Sequence, residues 1–209
     1  MKPSHLGTLR LETSRLTLRQ FALTDAEAMF HNWASDPEVT TFLRWPAHPD
    51  LDVSRSLLSQ WCQSYADVDY YQWAIEPKES GQPIGAIGVV GADDNISMVD
   101  IGYCIGQPWW HQGYTSEALA EVIRFFFEEV GVNRIEAEHD TRNPNSGKVM
   151  AACGMRHEGT LRQRMTPNAG IGDAAIYSIL ADDYRALARD GTASEVLTIS
   201  ASPGPEGGL

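Results

Sequence analysis

Residues 110–118 read Trp-His-Gln-Gly-Tyr-Thr-Ser-Glu-Ala, and their types and spacing suit the binding of an anion. A strand-like run ends at Ile105, a Pro108-Trp109-Trp110 corner follows, and apolar residues at helical spacing begin within the segment. A strand–turn–helix junction pivoting on Gly113 offers unpaired backbone N–H groups where the helix dipole is positive, a receptor for a pyrophosphate. Glycine lets the backbone approach phosphate with no Cβ in the way, and Thr115 and Ser116 add hydroxyl donors in the first turn. Further along, Asn143-Pro144-Asn145-Ser146 opens a shorter helix, flanked by Arg142 and Lys148.

These groups need elements to hold them, and the chain has a mixed α/β pattern. Residues 15–21 alternate Leu16 and Leu18 with Thr17 and Arg19, which predicts a first strand. Thr24-Asp25-Ala26-Glu27 has the form of a capping box opening a helix to about Ser35, stopped by Asp36-Pro37. Asp52 is placed to cap a second helix carrying Leu57, Leu58 and Trp61. Residues 69–76 and 82–91 form a hairpin around Glu79-Ser80-Gly81, and 98–105 a further strand. The long helix spans about 114–130, with Leu119, Val122, Ile123, Phe126 and Val130 at its period and Gly131 as its stop. Residues 133–140 predict another strand, 145–153 a helix ended by Gly154, and two last strands surround Arg162 and Tyr177. From Asp190 onward Gly, Ser, Pro and Thr dominate, the composition of a loosely packed tail.

With 209 residues, 43% of them hydrophobic, the chain is long enough for one well-buried core. A formal net charge of −12 argues against a nucleic-acid partner, whose backbone needs a basic surface, and suits a cationic acceptor or simply an acidic, soluble exterior. No apolar run reaches membrane-spanning length and residues 1–5 lack the apolar segment of a secretory signal. Cys62, Cys104 and Cys153 are odd in number and widely spaced, which reads as reduced thiols in a cytoplasmic protein. The six histidines include no HxxxH pair, so no metal is expected.

Taken in order, these motifs resemble the GNAT superfamily of acetyl-CoA-dependent N-acetyltransferases, and within it the ribosomal-protein N-acetyltransferase-like branch. The likeness covers roughly residues 12–184, leaving 1–11 as an N-terminal extension and 185–209 as a flexible tail. Glu12-Thr13-Ser14-Arg15-Leu16-Thr17-Leu18-Arg19 resembles the opening strand, Asp36-Pro37-Glu38-Val39 the end of the first helix, and Ile101-Gly102-Tyr103 the fourth strand. Residues 110–118 resemble the acyl-CoA loop, residues 143–146 with Val149, Gly154 and Met155 the Asn-x-x-Ser helix, and residues 173–180 the last strand.

The resemblance implies an α/β fold: a central mixed, twisted sheet of about seven strands flanked by helices, its fourth and fifth strands splayed around the pantetheine arm. Backbone near Cys104 and Ile105 would then bond pantetheine and polarise the thioester, which stabilises the oxyanion formed on amine attack. His111, Gln112, Gly113, Tyr114, Thr115 and Ser116 would hold the pyrophosphate, with Asn143 and Ser146 beside the cofactor and Arg142 and Lys148 near its remaining phosphate. Thr115 stands where the family usually has Gly or Ala, and His111 replaces a frequent Gly. Many relatives carry a Tyr acid seven residues after the motif Asn; here that position is Met150, which has no proton to give, so the role passes to Ser146 or to water. The amine must lose a proton before attack, and Asp100, Glu138 and His139 are the candidate bases, with Asp100 preferred.

Trp33 and Trp45, near the first two helices, and Trp73 on the following strand are candidate acceptor-site walls, although aromatics there could equally pack helices onto the sheet. Direct transfer needs no cysteine nucleophile. Three readings of the role remain: acetylation of a protein N-terminus, acetylation of a small amine or antibiotic, and a CoA-binding module without catalysis. A monomer or homodimer is expected.

Overall fold

A computed structural model describes residues 2–189. Its centre is one eight-stranded sheet: β1 (Leu11–Glu12), β2 (Leu16–Arg19), β3 (Gln72–Pro77), β4 (Gly85–Asp93), β5 (Met98–Ile105), β6 (Arg134–Asp140), β7 (Arg156–Met165) and β8 (Gly172–Leu180). The spatial order is β1-β2-β3-β4-β5-β6-β8-β7, and every pair is antiparallel except β5–β6. The count exceeds the expected seven by the two-residue edge strand β1, too short to show as alternation. The parallel pair holds register only at Met98↔Arg134, Val99↔Ile135 and Asp100↔Glu136. Beyond Asp100 the strands part, and the fold's functional opening begins there.

Alternation along the central strands separates two layers. Trp73, Ile75 and Ile87 face a core built with α4 (Tyr114–Phe125), while Ala74 and Ala86 face a second core with Phe21, Trp33 and Leu58. Small residues on that second face let the N-terminal helices lie close to the sheet. Helix α4 buries Ala118, Leu119, Val122 and Ile123 at the predicted period, then widens into a π turn at Phe126–Val130, and Gly131 ends it at φ 78°.

The first predicted helix is broken up: a 3-10 turn at Leu23–Asp25, α1 (Ala26–Met29), a π turn at Phe30–Ala34 and the one-turn α2 (Pro37–Thr40). Thr24 is not its cap; the Asp25 carboxylate accepts the Ala22 N–H and is itself held by Arg19. Asp50, not Asp52, caps α3 (Leu51–Ser64). Helix α5 (Pro144–Ala152) follows β6 as predicted. At the C-terminal end, α6 (Ala181–Arg189) carries ordered chain past residue 184, and the rest of the expected tail lies outside the described residues. The N-terminal segment lies against the body: Ser4 donates to the Val130 carbonyl, Gly7 to that of Val68, and the Trp73 indole to that of Leu9.

Candidate active site

Where β5 and β6 part, two cavities open on either side of the gap. The smaller, about 460 Å³, is lined by β5 residues Tyr103 to Ile105, by the turn entering α4 and by the start of α5. The larger, about 720 Å³, lies toward α1, α3 and the 42–49 connection. Phe42, Leu43, Tyr103, Cys104, Asn143 and Ser146 line both, so the cavities meet at the splayed end of β5.

The smaller cavity is built largely from backbone. Gly113 is the N-cap of α4 at φ 78°, a conformation that L side chains rarely adopt, and the helix N-terminus points into the turn. His111 holds φ 60°, which accounts for glycine being frequent at that position in relatives. His111, Gly113, Thr115 and Ser116 all line the cavity, and Thr115 lies within the helix. Two residues of the turn direct their side chains elsewhere. The Gln112 amide donates to the Pro108 carbonyl at 2.7 Å; Tyr114 is buried, with its hydroxyl 3.3 Å from a Glu79 oxygen and the Arg15 guanidinium over its ring. Their contribution to an anion is backbone N–H only. Arg142 lines the cavity, but its guanidinium is engaged with both Asp140 oxygens and the Ala169 and Gly170 carbonyls. Lys148 reaches only Asn145, at 3.4 Å.

At the junction stands a residue the sequence reading passed over. The Tyr103 hydroxyl lies 2.9 Å from the Ser146 carbonyl oxygen and 3.0 Å from its Oγ. Burial pushes the phenol well above its usual range, so Tyr103 stays protonated. Its proton can serve one of these oxygens at a time. A signal was available: Tyr103 is the hydroxyl on the very strand expected to hold the thioester. Met150, in the place of the family's Tyr, is buried apolar wall of the larger cavity.

Asp100 lines the larger cavity, and neither a hydrogen bond nor an ion pair from a described residue reaches its carboxylate. Burial, then the neighbouring charges of Glu138 and Glu136, push its pKa up to about 6. Glu138 shares the wall and is paired with Arg44. His139 also lines this cavity, but its Nδ1 lies 2.8 Å from the Asp140 carbonyl and its ring packs under α5. A Cβ on Gly147 would fall 2.5 Å from His139 Nε2, so glycine is required where helix meets ring. The sequence left open which strand residues face a cavity; Asp100 and Glu138 both line the larger one.

Trp33 and Trp45 line this cavity together with Phe42 and Trp61. Trp73 does not: it is fully buried on the opposite face, packed edge-on against Phe125 and Phe126. Alternation explains the correction, because its neighbours Gln72 and Ala74 face the other way. Cys104 lines both cavities, and burial raises its thiol to about 12. Glu117, in the first turn of α4, is a buried tether as well as a dipole partner, accepting from Thr13, Ser14 and the backbone and guanidinium of Arg15. Among the described residues no His, Cys, Asp and Glu cluster could hold a metal, and no helix is long and apolar enough to cross a membrane.

A split parallel pair, a glycine-turned helix N-terminus on one side and an ionisable cavity on the other define an acyl-transferase site. The family profile of the acetyltransferase (GNAT) domain matches residues 15–156, and the chain belongs to that family of N-acetyltransferases, which use acetyl-CoA as cosubstrate. It is 32% identical over 170 residues to the uncharacterized N-acetyltransferase YoaA of Bacillus subtilis strain 168, covering 81% of this chain and 96% of that one. To the [ribosomal protein uS5]-alanine N-acetyltransferase of Escherichia coli K12 it is 25% identical, covering 87% of this chain and 95% of the relative. Among solved structures, a GCN5-related N-acetyltransferase from Brucella melitensis superposes with a TM-score of 0.79 at 20% identity, covering 93% of this chain and 88% of that one.

Proposed function

We propose that the protein transfers acetyl from acetyl-CoA directly to a primary amine, with Asp100 as general base and Ser146 as the proton donor to the leaving sulfur. The observation that carries this reading is the meeting of the two cavities at Tyr103, Cys104 and Ser146, with an unpaired carboxylate along the same strand. Pyrophosphate would sit on the α4 N-terminus at His111, Gly113, Thr115 and Ser116, with backbone N–H from Gln112 and Tyr114. The β5 backbone near Cys104 and Ile105, freed by the departure of β6, is left to bond the pantetheine arm and the thioester carbonyl. Asn143 lies beside that arm.

An ammonium has no lone pair, so transfer begins with loss of its proton toward Asp100. Four residues of strand, roughly 13 Å, separate Asp100 from Cys104, which puts water between base and amine. Gly102 lies midway on the same face, where the Val90 side chain packs over it (a Cβ there would fall 2.7 Å from Val90 Cγ1), so the water path runs beside Val90. The amine nitrogen then attacks the thioester carbon, the C–N bond forms, and the C–S bond breaks. The departing thiolate takes the Ser146 hydroxyl proton, and the serine regains one through water from the nitrogen, which sheds its second proton in becoming an amide. With its own proton directed to the Ser146 carbonyl, the Tyr103 oxygen can accept from Ser146 Oγ and so position the serine hydroxyl beside the sulfur.

The uS5 relative makes a protein N-terminal amine one candidate acceptor. A small amine is the other, supported by the enclosed aromatic cavity of about 720 Å³. The test is mass-spectrometric detection of acetyl transfer from acetyl-CoA to a panel of peptides and small amines, with Ser146→Ala and Asp100→Asn alongside. Acetylated amine from the parent protein and strongly reduced turnover in both variants is the expected result. Bound acetyl-CoA with no transfer to any amine would leave the reading of a CoA-binding module.

A further inference from the structure

The walls of the larger cavity say more about the acceptor than that it is an amine, and this step rests on the transfer reading above. We propose that the acceptor is a compact amine, cationic in water and bearing an aromatic or similarly bulky apolar body, and not the N-terminus of a protein.

Charge comes first. The Asp100 carboxylate faces the cavity with neither a hydrogen bond nor an ion pair from a described residue, and the nearby Arg44 is paired with Glu138. A neutral occupant gains nothing from these carboxylates, an anion is repelled by them, and an ammonium is attracted into the cavity by their charge before it reaches the thioester. His48 on the far wall adds no positive charge at neutral pH, since burial lowers its pKa and its Nδ1 lies 2.8 Å from Ser54 Oγ. Shape comes second. Trp33, Trp45, Trp61 and Phe42 give the rest of the wall aromatic faces, and the volume of about 720 Å³ is that of a small-molecule site. Such faces stack on a flat apolar body and favour the positive charge beside it.

The roof narrows the room for a polypeptide. The 40–45 segment is tied to the β7–β8 loop by backbone bonds from Asn168 to Leu43 and from Ala169 to Thr41. The Asn168 amide adds bonds to the Thr40 and Trp45 carbonyls, both at 2.8 Å, and Arg142 clasps the loop while its guanidinium lies over the Phe42 ring. An extended chain running out from the acetyl position has to leave by the cavity's open side, past this strap. A compact amine fits beneath it.

The test uses the full chain with acetyl-CoA and four probes: 2-phenylethylamine, tryptamine, putrescine and a hexapeptide with a free N-terminal alanine. We expect kcat/KM for the two aryl amines to exceed that for putrescine and the peptide at least tenfold. Trp45→Ala should raise KM for tryptamine severalfold with a smaller change in kcat. Binding read without turnover, by quenching of tryptophan fluorescence in the presence of desulfo-CoA, should be seen with 2-phenylethylamine and lost with the uncharged 2-phenylethanol. Preference for the peptide or for putrescine overturns the acceptor class while leaving the transferase reading standing. Failure of every probe to be acetylated while acetyl-CoA binds overturns both. Equal binding of the alcohol overturns the part assigned to Asp100.

Discussion

The two cavities that meet at Tyr103 are made of different materials. The smaller is turn and helix terminus: a left-handed Gly113, a left-handed His111 and the N–H groups of α4. The larger is side chain: tryptophans from the first helices, carboxylates from two strands and a roof from two distant loops. A backbone receptor suits a partner common to a whole family, because many sequences can form the same turn. A wall of side chains can be changed one residue at a time, which is why, in the proposed function, acceptor choice is assigned to it. The comparison becomes sharp if variants on the two sides fail differently: on the donor side in CoA binding, on the acceptor side in amine selection and proton transfer.

The largest effect is expected at Asp100. Asp100→Asn should lower kcat/KM by about a hundredfold or more, the usual range for loss of a general base. Since the base must be ionised, the parent rate should climb as pH rises through about 6 and then level, and the variant should lose that limb. Stability should move the opposite way. The folded pKa lies above the ordinary 3.8, so the protonated form favours folding, and this advantage present at low pH is lost as pH climbs through about 6. Asp100→Asn should therefore gain on the order of 1–3 kcal/mol at pH 8 and almost nothing at pH 3, read from urea unfolding. A variant that loses activity and stability together would mark Asp100 as a structural residue.

Next come the two hydroxyls at the seam. Ser146→Ala should reduce kcat by about a hundredfold with little change in acetyl-CoA affinity by calorimetry. Tyr103→Phe keeps the ring and removes the hydrogen bond, so about a tenfold loss in kcat is expected, with KM for the amine held. Little further loss when Tyr103→Phe is added to Ser146→Ala would show that the phenol works through the serine. A fully additive double variant would separate them.

The same contrast governs what could be read from the sequence. The turn that builds the smaller cavity was legible, because Gly113, Thr115 and Ser116 lie in one contiguous stretch whose strand–turn–helix grammar is local. The strands from Met98 to Leu180 and the long helix followed for the same reason, through period and glycine stops. The acceptor side draws residues from Trp33 to Met165, and no local pattern says that they meet. Trp73 was put with the other tryptophans because aromatics look alike in sequence; a sheet has two faces, and only the register assigns one. Tyr103 was passed over because its partner Ser146 is 43 positions away. Glu117 is a first-turn acid that a helix dipole alone could account for, and its tether to the 13–15 turn appears only once β2 lies beside α4.

A smaller effect, on stability first, is expected between the cavities. Gly147→Ala puts a methyl 2.5 Å from His139 Nε2, and a ring held at Nδ1 by the Asp140 carbonyl has little freedom to yield. Overpacking of this kind costs about 1–3 kcal/mol, several degrees of Tm for a chain of this size. Helix α5 would shift with it and carry Ser146, so kcat should fall by more than the loss of folded protein explains. An unchanged melting curve would mean that the helix rides more loosely on β6 than the packing indicates.

The smallest effect should come from Cys104, although it lines both cavities and lies closest in sequence to the expected thioester site. With its thiol raised to about 12, fewer than about one molecule in ten thousand carries the thiolate at pH 7.5. A nucleophilic role is closed to it, and its service is the backbone that β5 turns toward the gap. Cys104→Ala should thus keep kcat/KM within about twofold, and iodoacetamide should leave the parent enzyme active, since burial raises the Cys62 and Cys153 thiols as well. Rapid inactivation that acetyl-CoA prevents and Cys104→Ala abolishes would reverse this assignment. It would place a reactive side chain on the donor wall, and the division between a backbone-built donor side and a side-chain-built acceptor side would then fail at the seam where the two cavities join.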